Sequence, residues 1–246
     1  MRASHIEFRL RLVIIAAVVF LGFWSPWIEM WGIGQRISLL EWCALQLSRF
    51  GIFSFTVATP VMIVLASAIA GLAALLRVWG TAWLGAIVVN NRDMKAVAVV
   101  AGGPYRFVRN PLYLGTGLMM LAMSFVMPVT GAVLTIILIA VFLLRLIFGE
   151  EAFLASRLGE PYQQYLRSVP RVVPRLRSNL ALSSEHPQWG RALLAETNPI
   201  GVFLILAILS WRYDNPLMIK AILISFGISL VLRAFLPANP AEPTPA

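Results

Sequence analysis

The sequence predicts an all-α fold, a polytopic transmembrane helical bundle of about six membrane helices that includes two helical hairpins. Of its 246 residues, 59% are hydrophobic and only 13% are charged, whereas soluble domains carry about 25% charged residues. The apolar residues also gather into runs that approach the roughly 20 residues needed to cross a hydrocarbon core about 30 Å thick. Composition and run length together exclude an ordinary soluble domain.

Charged residues, proline and glycine divide the apolar sequence into separate spans. The predicted spans are residues 12–28, residues 52–76 ending at Arg77, two helices within residues 112–148 that turn at Met127 and Pro128, and a second hairpin of residues 199–211 and 217–236. The first arm of the second hairpin is short, and it can begin earlier as an interfacial helix near Arg191. Its turn, at residues 213–216, contains the Asp, Asn and Pro that favour turns.

These spans divide the chain into four predicted parts. Residues 1–76 hold two N-terminal membrane helices, and residues 77–176 form a core with a loop and the central hairpin. Residues 177–236 hold an interfacial segment and the second hairpin. The proline-containing tail of residues 237–246 has the composition of a disordered end.

Lysine and arginine outnumber the acidic residues by 20 to 11, which gives a net charge of +9. In a membrane protein such an excess is typical of cytoplasmic loops that face anionic lipid, so nucleic acid is not an expected partner. Both ends of the central hairpin are basic, which places them on the cytoplasmic side. One cysteine, Cys43, and two distant histidines, His5 and His186, predict no metal site.

Residues 78–100 are apolar in pieces but interrupted by a polar run that begins at Asn90. We expect a short helix that ends at Asn90 and then an irregular loop. Irregular backbone at membrane depth persists only where protein or a cavity supplies its hydrogen bonds, so one interpretation is a functional site near this loop. A solvated loop between two spans is an equally good interpretation.

A stretch rich in glycine, proline, arginine and tyrosine precedes the central hairpin. Pro111 suits a first helical turn because its missing N–H would have no helical partner, and Asn110 is an acceptable N-cap. The resulting helix N-terminus favours an anionic group such as a carboxylate. Tyr113 and Gly117 lie four residues apart on one face, which suits the close approach of a flat ligand. For Gly115 and Gly117 alone, helix packing is the favoured interpretation.

Two adjacent glutamates, Glu150 and Glu151, follow the hairpin. Neighbouring side chains on a helix point about 100° apart, so at most one of them faces the interior while the other meets solvent or an arginine. An inward glutamate in a membrane bundle can neutralise a cationic ligand. The alternative is a solvated helix start without a ligand.

Taken together, these motifs resemble a known superfamily. The pattern Gly-Pro-Tyr-x-x-x-Arg-Asn-Pro-x-Tyr-x-Gly begins at Gly103 and is followed by the hairpin, Glu-Glu, Gly-Glu-x-Tyr-x-x-Tyr and Val-Pro-Arg. Over residues 77–174 the chain resembles the isoprenylcysteine carboxyl methyltransferase and phospholipid methyltransferase superfamily. The resemblance implies an all-helical membrane enzyme that binds S-adenosylmethionine without a Rossmann domain. Residues 77–176 would then be a methyltransferase-like core with a cofactor loop.

The motifs and the resemblance together give a set of candidate cofactor-binding residues. They are Asn90, Val100, Tyr105, Asn110, Pro111, Leu112, Tyr113, Gly115, Gly117, Glu150 and Glu151. By resemblance, Glu150 would hold the amino group of S-adenosylmethionine. The Arg-His-Pro usual in the family is Arg109-Asn110-Pro111 here, and asparagine keeps the hydrogen bonds of histidine but does not titrate near neutral pH.

Arg109 and Arg145 are the candidate catalytic residues, since either could orient an anionic acceptor or the carboxylate of the cofactor. The family arginine often stands four residues before the first glutamate, whereas Arg145 stands five before Glu150. Methyl transfer from a sulfonium is an in-line displacement, so the enzyme mainly aligns the reactants and excludes water. No dedicated general base is expected.

The predicted function is that of an integral membrane S-adenosylmethionine-dependent methyltransferase whose site faces the cytoplasm. Its partner would be a membrane lipid or lipidated small molecule, with an isoprenoid or prenylcysteine carboxylate or a phospholipid amine as acceptor; the oligomeric state is open. One alternative is an NADPH-dependent sterol-type reductase, because such enzymes share a similar Arg-x-Pro-x-Tyr loop. They typically carry Asn directly before the tyrosine, where this chain has Leu112. A non-catalytic scaffold is the other alternative, and in it Glu150 would tolerate substitution.

Overall fold

The computed structural model describes residues 2–85, 101–177, 186–212 and 214–234. Within these ranges the regular structure is helical, apart from one isolated bridge between Ser38 and Pro128. The helices are α1 (His5–Arg9), α2 (Arg11–Trp24), α3 (Trp27–Trp31), α4 (Leu39–Arg49), α5 (Phe55–Leu84), α6 (Pro111–Ser124), α7 (Val129–Leu158), α8 (Glu160–Ser168), α9 (Trp189–Ala195), α10 (Thr197–Leu209) and α11 (Asn215–Ala234). Short 3-10 turns occupy Gly103–Arg106 and Ser210–Arg212.

Two of these helices, α5 and α7, are each 30 residues long and apolar enough to cross a membrane. The segments Trp189–Ala195 and Thr197–Arg212 are bent by 68° to each other and would make a third span if taken as one. Helices α2 and α6 are apolar but only 14 residues long, or about 21 Å at the usual helical rise. The protein is thus an all-α integral membrane protein, and by length its described residues provide two or three spans, where the sequence predicts about six.

The first two helices end at other residues than the sequence predicts. The helix predicted over residues 12–28 stops at Trp24, because Ser25 adopts a left-handed conformation with φ 41° that does not continue a helix. The helix predicted to stop at Arg77 continues to Leu84. Arg77 does not mark a membrane surface, since its side chain is largely buried and paired with a carboxylate.

The central hairpin consists of α6 and α7, which are joined by residues 125–128. Helix α6 packs against both α5 and α7 and begins with Pro111, as predicted. Helix α2 crosses α7 so closely that a Cβ on Gly131 would overlap the backbone of Gly22. These contacts place the N-terminal turn of α6 inside the bundle, near the last turns of α5 and α7.

The C-terminal hairpin predicted at residues 199–211 and 217–236 corresponds to α10 and α11, which pack against each other, and α10 also packs against α5. Helix α9 precedes the hairpin at a sharp bend, where an interfacial helix is expected near Arg191. Residue 213 of the predicted turn and the tail of residues 237–246 lie outside the described residues. The division of the chain into four parts stays a prediction.

Candidate functional site

The loop before α6 is anchored to the end of α5 by glycines. Gly103 adopts φ 52°, a left-handed conformation that favours glycine. The ring of Trp83 lies against Gly102 and Gly103 so closely that no Cβ would fit on either. The 3-10 turn that follows buries Tyr105. The loop is therefore held at α5 while it carries a tyrosine into the interior.

The amphipathic helix α8 and the residues after it cover the same loop from the other side. The Tyr165 hydroxyl donates a 2.8 Å hydrogen bond to the Tyr105 carbonyl. The Arg109 N–H donates to the Pro170 carbonyl at 2.9 Å. Burial raises the pKa of Tyr165 above its usual range, so its hydroxyl stays protonated and remains a donor at neutral pH.

Glu151 of α7 is buried and binds groups from the loop and from the residues after α8. Its Oε1 accepts a 3.0 Å hydrogen bond from Asn110 Nδ2 and lies 3.5 Å from Arg109 Nε. Its Oε2 accepts a 3.0 Å hydrogen bond from Arg171 Nε and lies 2.9 Å from Arg171 Nη2. The carboxylate is thus occupied by protein groups, and it ties together three segments of the chain.

Glu150 faces a different part of the molecule. Its side chain is only partly buried, and its carboxylate lies beside the Tyr113 hydroxyl of α6 and interacts with it. Arg11, at the start of α2, acts electrostatically on both Glu150 and Tyr113, and its Nη1 donates to the Phe8 carbonyl at 3.0 Å. The two glutamate side chains thus point in different directions, as their angular separation requires. Glu151 contacts arginines, and Glu150 faces the helices of the bundle.

Tyr105 belongs to the cluster around Glu150. Burial, followed by the charge of Glu150, raises the pKa of Tyr105 well above its usual range, so its hydroxyl is a neutral donor. That hydroxyl is buried and has no hydrogen-bond partner among the described residues, and the same is true of Arg109 Nε. A buried polar group without a partner costs about 1–3 kcal/mol. A ligand that offers acceptors beside Tyr105 and Arg109 would remove this cost.

Three of the candidate cofactor residues on α6 face α5 instead of this cluster. Leu112 packs on Gly80, and Pro111 is buried beside the same glycine. Gly115 lies against the aliphatic stem of Arg77, where no Cβ would fit. These residues bring α6 close to α5, so for Gly115 the structure favours helix packing over ligand binding.

The angular positions on α6 explain this division. Gly115 follows Tyr113 by two residues and therefore points about 200° away from it. Gly117 follows Tyr113 by four residues and shares its face, where an added Cβ would meet only Leu143 at 3.6 Å. Asn110 occupies the N-cap position, but its side chain makes no capping hydrogen bond because it donates to Glu151 instead.

Arg145 is directed toward the N-terminus of the chain. Its Nη2 donates to both carboxylate oxygens of Glu7 at 2.9 Å, and its carbonyl accepts from the Ala3 N–H at 2.9 Å. Five residues separate it from Glu150, which corresponds to about 140° around the helix. The structure thus places this candidate catalytic arginine in the attachment of α1 to α7, with its charge balanced by Glu7.

Comparison with protein-family models matches residues 61–160 to the phospholipid methyltransferase family. Residues 61–160 form a phospholipid methyltransferase domain. The domain belongs to the superfamily that the motifs resemble, so the family prediction is confirmed. Comparisons with curated proteins and with solved structures give no match.

The match supports a membrane methyltransferase that acts on lipid-type substrates. The methyltransferase domain contains most of α5, the loop, α6 and α7, and therefore contains Tyr105, Tyr113 and both glutamates. Two of its predicted cofactor residues, Asn90 and Val100, lie outside the described residues and stay predictions.

Several charged residues that contact or approach the site lie outside the sequence motifs. Arg77 was interpreted as a helix end, yet it donates to the first turns of α6 and to the fully buried Glu196. Arg11 lies directly before the first predicted span, and its charge acts on Glu150. One signal could have identified Glu196, because it is an acidic residue between apolar segments and such residues are seldom accidental in membrane proteins.

Proposed function

We propose that the protein transfers a methyl group from S-adenosylmethionine to the amine of a phospholipid headgroup. The single observation that supports this most is the placement of the Tyr113 hydroxyl of α6 beside the Glu150 carboxylate of α7. Tyr105 lies in the same cluster, and its buried hydroxyl has no hydrogen-bond partner among the described residues. The family match supports a phospholipid acceptor over the carboxylate acceptors that the sequence leaves open.

The residues present fit S-adenosylmethionine. Its amino-acid end carries an ammonium and a carboxylate, and the cluster offers Glu150 for the first and Arg109 for the second. Arg109 Nε lies 3.5 Å from Glu151 Oε1 but has no hydrogen-bond partner among the described residues. Tyr105 and Tyr113 offer rings and hydroxyls for the nucleoside and the sulfonium. Gly117 leaves space on the face of α6 that carries Tyr113.

When bound, S-adenosylmethionine supplies a sulfonium methyl group whose carbon an acceptor lone pair can attack in line, while the carbon–sulfur bond breaks and S-adenosylhomocysteine leaves as a neutral thioether. Glu150 would balance the positive charge of the cofactor's ammonium, and Tyr113 would fix the orientation of the Glu150 carboxylate. The loop before α6, together with α6 and α7, would exclude water from the reacting atoms. The acceptor amine attacks in its neutral form, after its ammonium form has released a proton to water, and it becomes a methylated ammonium as the neutral thioether leaves. Alignment of donor and acceptor is therefore the main task of the chain.

We further propose that the site faces the cytoplasm. The loop, the end of α7, and α8 with the residues after it carry several arginines, including Arg106, Arg157, Arg167 and Arg175. Short membrane-flanking segments rich in arginine are typically retained on the cytoplasmic side. Accessibility labelling of a cysteine introduced at Arg167 in intact cells and in inverted vesicles would test this orientation.

Two experiments test the function. Purified protein should gain thermal stability with S-adenosylhomocysteine and not with NADPH; a gain with NADPH alone would favour the reductase. Protein incubated with methyl-labelled S-adenosylmethionine and a total lipid extract should label phospholipid headgroups. Label that mild base releases as methanol would instead identify a methyl ester, and it would overturn the amine acceptor.

A further inference from the structure

A buried ion pair joins the C-terminal segment to the methyltransferase domain. Glu196 lies at the bend between α9 and α10, and its side chain is fully buried. Arg77 Nε donates to its Oε2 at 2.6 Å, and Arg77 Nη2 donates to its Oε1 at 3.0 Å. Thr81 Oγ1 donates to Oε1 at 2.6 Å. Glu196 therefore holds the Arg77 guanidinium by two hydrogen bonds in a single orientation.

The remaining guanidinium nitrogen of Arg77 binds the N-terminal turns of α6. Nη1 donates to Thr116 Oγ1 at 2.6 Å and to the Leu112 carbonyl at 3.3 Å. Thr116 Oγ1 itself donates to the Leu112 carbonyl at 2.9 Å. Leu112 and Thr116 flank Tyr113, the residue that reaches Glu150. Arg77 thus fixes the part of α6 that carries the site tyrosine.

Packing on the same face makes α6 sensitive to where Arg77 lies. Gly115 sits on the Arg77 stem and Leu112 on Gly80, and neither glycine has room for a Cβ. The Gln188 N–H donates to the Ala82 carbonyl at 2.8 Å, which ties the start of the C-terminal segment to the same end of α5. A shift of the C-terminal segment would therefore reach α6 through the end of α5.

We propose that Arg77 and Glu196 are positioning residues, and that the C-terminal segment acts through them to hold Tyr113 against Glu150. A buried ion pair is a weak source of stability, because desolvation offsets much of the attraction between its charges. Its directional donors can, however, fix a backbone carbonyl and a hydroxyl on α6, which apolar packing alone does not do. This inference rests on the proposed function only for the role of Tyr113 in cofactor binding.

The test uses the full-length protein in nanodiscs with 3-fluorotyrosine at position 113. The fluorine resonance reports the surroundings of Tyr113 in the folded protein without any ligand. In Glu196→Gln the resonance should shift or split, because the amide offers Arg77 only one acceptor oxygen. Glu29→Gln, which alters the exposed ion pair between Glu29 and Arg36, is the matched control and should leave the resonance unchanged.

Ligand binding provides the second measurement. Glu196→Gln should raise the dissociation constant for S-adenosylhomocysteine about tenfold, the equivalent of one charged hydrogen bond lost from the geometry of the site. Glu196→Asp, which retains the carboxylate, should recover part of the affinity and of the original resonance. A Glu196→Gln protein with a lower thermal midpoint but unchanged resonance and affinity would show a purely stabilising role and would overturn the proposal.

A second variant keeps the test decisive if Glu196→Gln does not fold. Thr116→Val removes one acceptor of Arg77 and leaves the ion pair intact, so it should shift the Tyr113 resonance by a smaller amount. An unchanged resonance in this variant would overturn the proposal. If the wild-type protein does not bind S-adenosylhomocysteine, the proposed function fails, whereas the fluorine measurement still decides whether Arg77 and Glu196 position Tyr113.

Discussion

Two faces of the last turns of α7 carry adjacent glutamates in contrasting surroundings. On one face, Glu151 is buried and meets Asn110 and the guanidinium groups of Arg109 and Arg171. On the other face, Glu150 is partly buried, and its carboxylate lies beside the neutral hydroxyl of Tyr113. The first face joins the loop before α6 to the residues after α8, and the second faces the cluster that contains Tyr105.

Because of this difference, we expect Glu151 to stabilise the fold and Glu150 to be available to a ligand. Removing one partner of a buried ion pair leaves an uncompensated charge, which is strongly destabilising. A carboxylate with a neutral partner keeps capacity for a cation. Adjacent residues of one type therefore have different expected roles, and substitutions can test each role separately.

The largest expected effect is on stability. Glu151→Ala should lower the free energy of unfolding by about 3–5 kcal/mol, because it leaves the largely buried Arg109 without its carboxylate. Denaturant unfolding of the detergent-solubilised protein measures this change. The control is Glu29→Ala at the exposed pair with Arg36, which should change stability by about 1 kcal/mol or less. Equal changes in the free energy of unfolding for the two substitutions would show that Glu151 does not have this structural role.

Glu150→Gln should have the opposite effect: it should weaken ligand binding and leave stability nearly unchanged. We expect S-adenosylhomocysteine to bind at least about tenfold more weakly, because a hydrogen-bonded charge partner is lost. The thermal midpoint without ligand should stay near that of the wild type, because the amide can still accept from Tyr113. Isothermal titration and thermal unfolding measure the two quantities. Wild-type affinity in this variant would contradict the assignment of Glu150.

Tyr105→Phe tests ligand binding against stability by removing a single group, the Tyr105 hydroxyl. The hydroxyl has no partner among the described residues, so its removal should leave the thermal midpoint unchanged or slightly higher. It should weaken S-adenosylhomocysteine binding by roughly three- to tenfold, as expected for one neutral hydrogen bond. Tyr165→Phe is the matched control, since it loses the hydrogen bond to the Tyr105 carbonyl and should lower stability. A destabilised Tyr105→Phe would show that the hydroxyl already has a partner in the chain.

The smallest effect concerns the partly exposed ion pair between Glu7 of α1 and Arg145 of α7. The hydrogen bonds from Arg145 and from the Ser4 N–H lower the pKa of Glu7 from 4.5 to about 2. Because the folded-state pKa is depressed, the contribution of this pair is complete above pH 4.5 and is lost as the pH falls toward 2.

Hydrogen exchange at the Ala3 N–H, which donates to the Arg145 carbonyl, should therefore lose protection over that interval. The experiment compares protection factors, so that the pH dependence of intrinsic exchange is removed. Glu7→Gln should show the low-pH behaviour at every pH. Identical profiles for the variant and the wild type would indicate that Glu7 does not attach α1 to α7.

Much of the fold could be predicted from local patterns. The apolar runs predict the all-α membrane class, and Met127 and Pro128 mark the turn between α6 and α7. The match over residues 61–160 confirms the family that the motif beginning at Gly103 resembles. Helix ends were less predictable: Arg77 lies within α5 because a distant carboxylate neutralises it, and a run of hydropathy contains no information about that partner.

The sequence by itself determined the membrane class, the helical periodicity and the family, because these depend on composition and on neighbours within a few residues. The angular separation of Glu150 and Glu151 is likewise local, and it required different surroundings for the two. Only the tertiary structure decided that Glu151 meets Arg109 and Arg171, that Gly115 faces Arg77, and that Glu196 reaches the domain from beyond its end. Those contacts join residues up to 119 positions apart in the chain, and packing in three dimensions sets them.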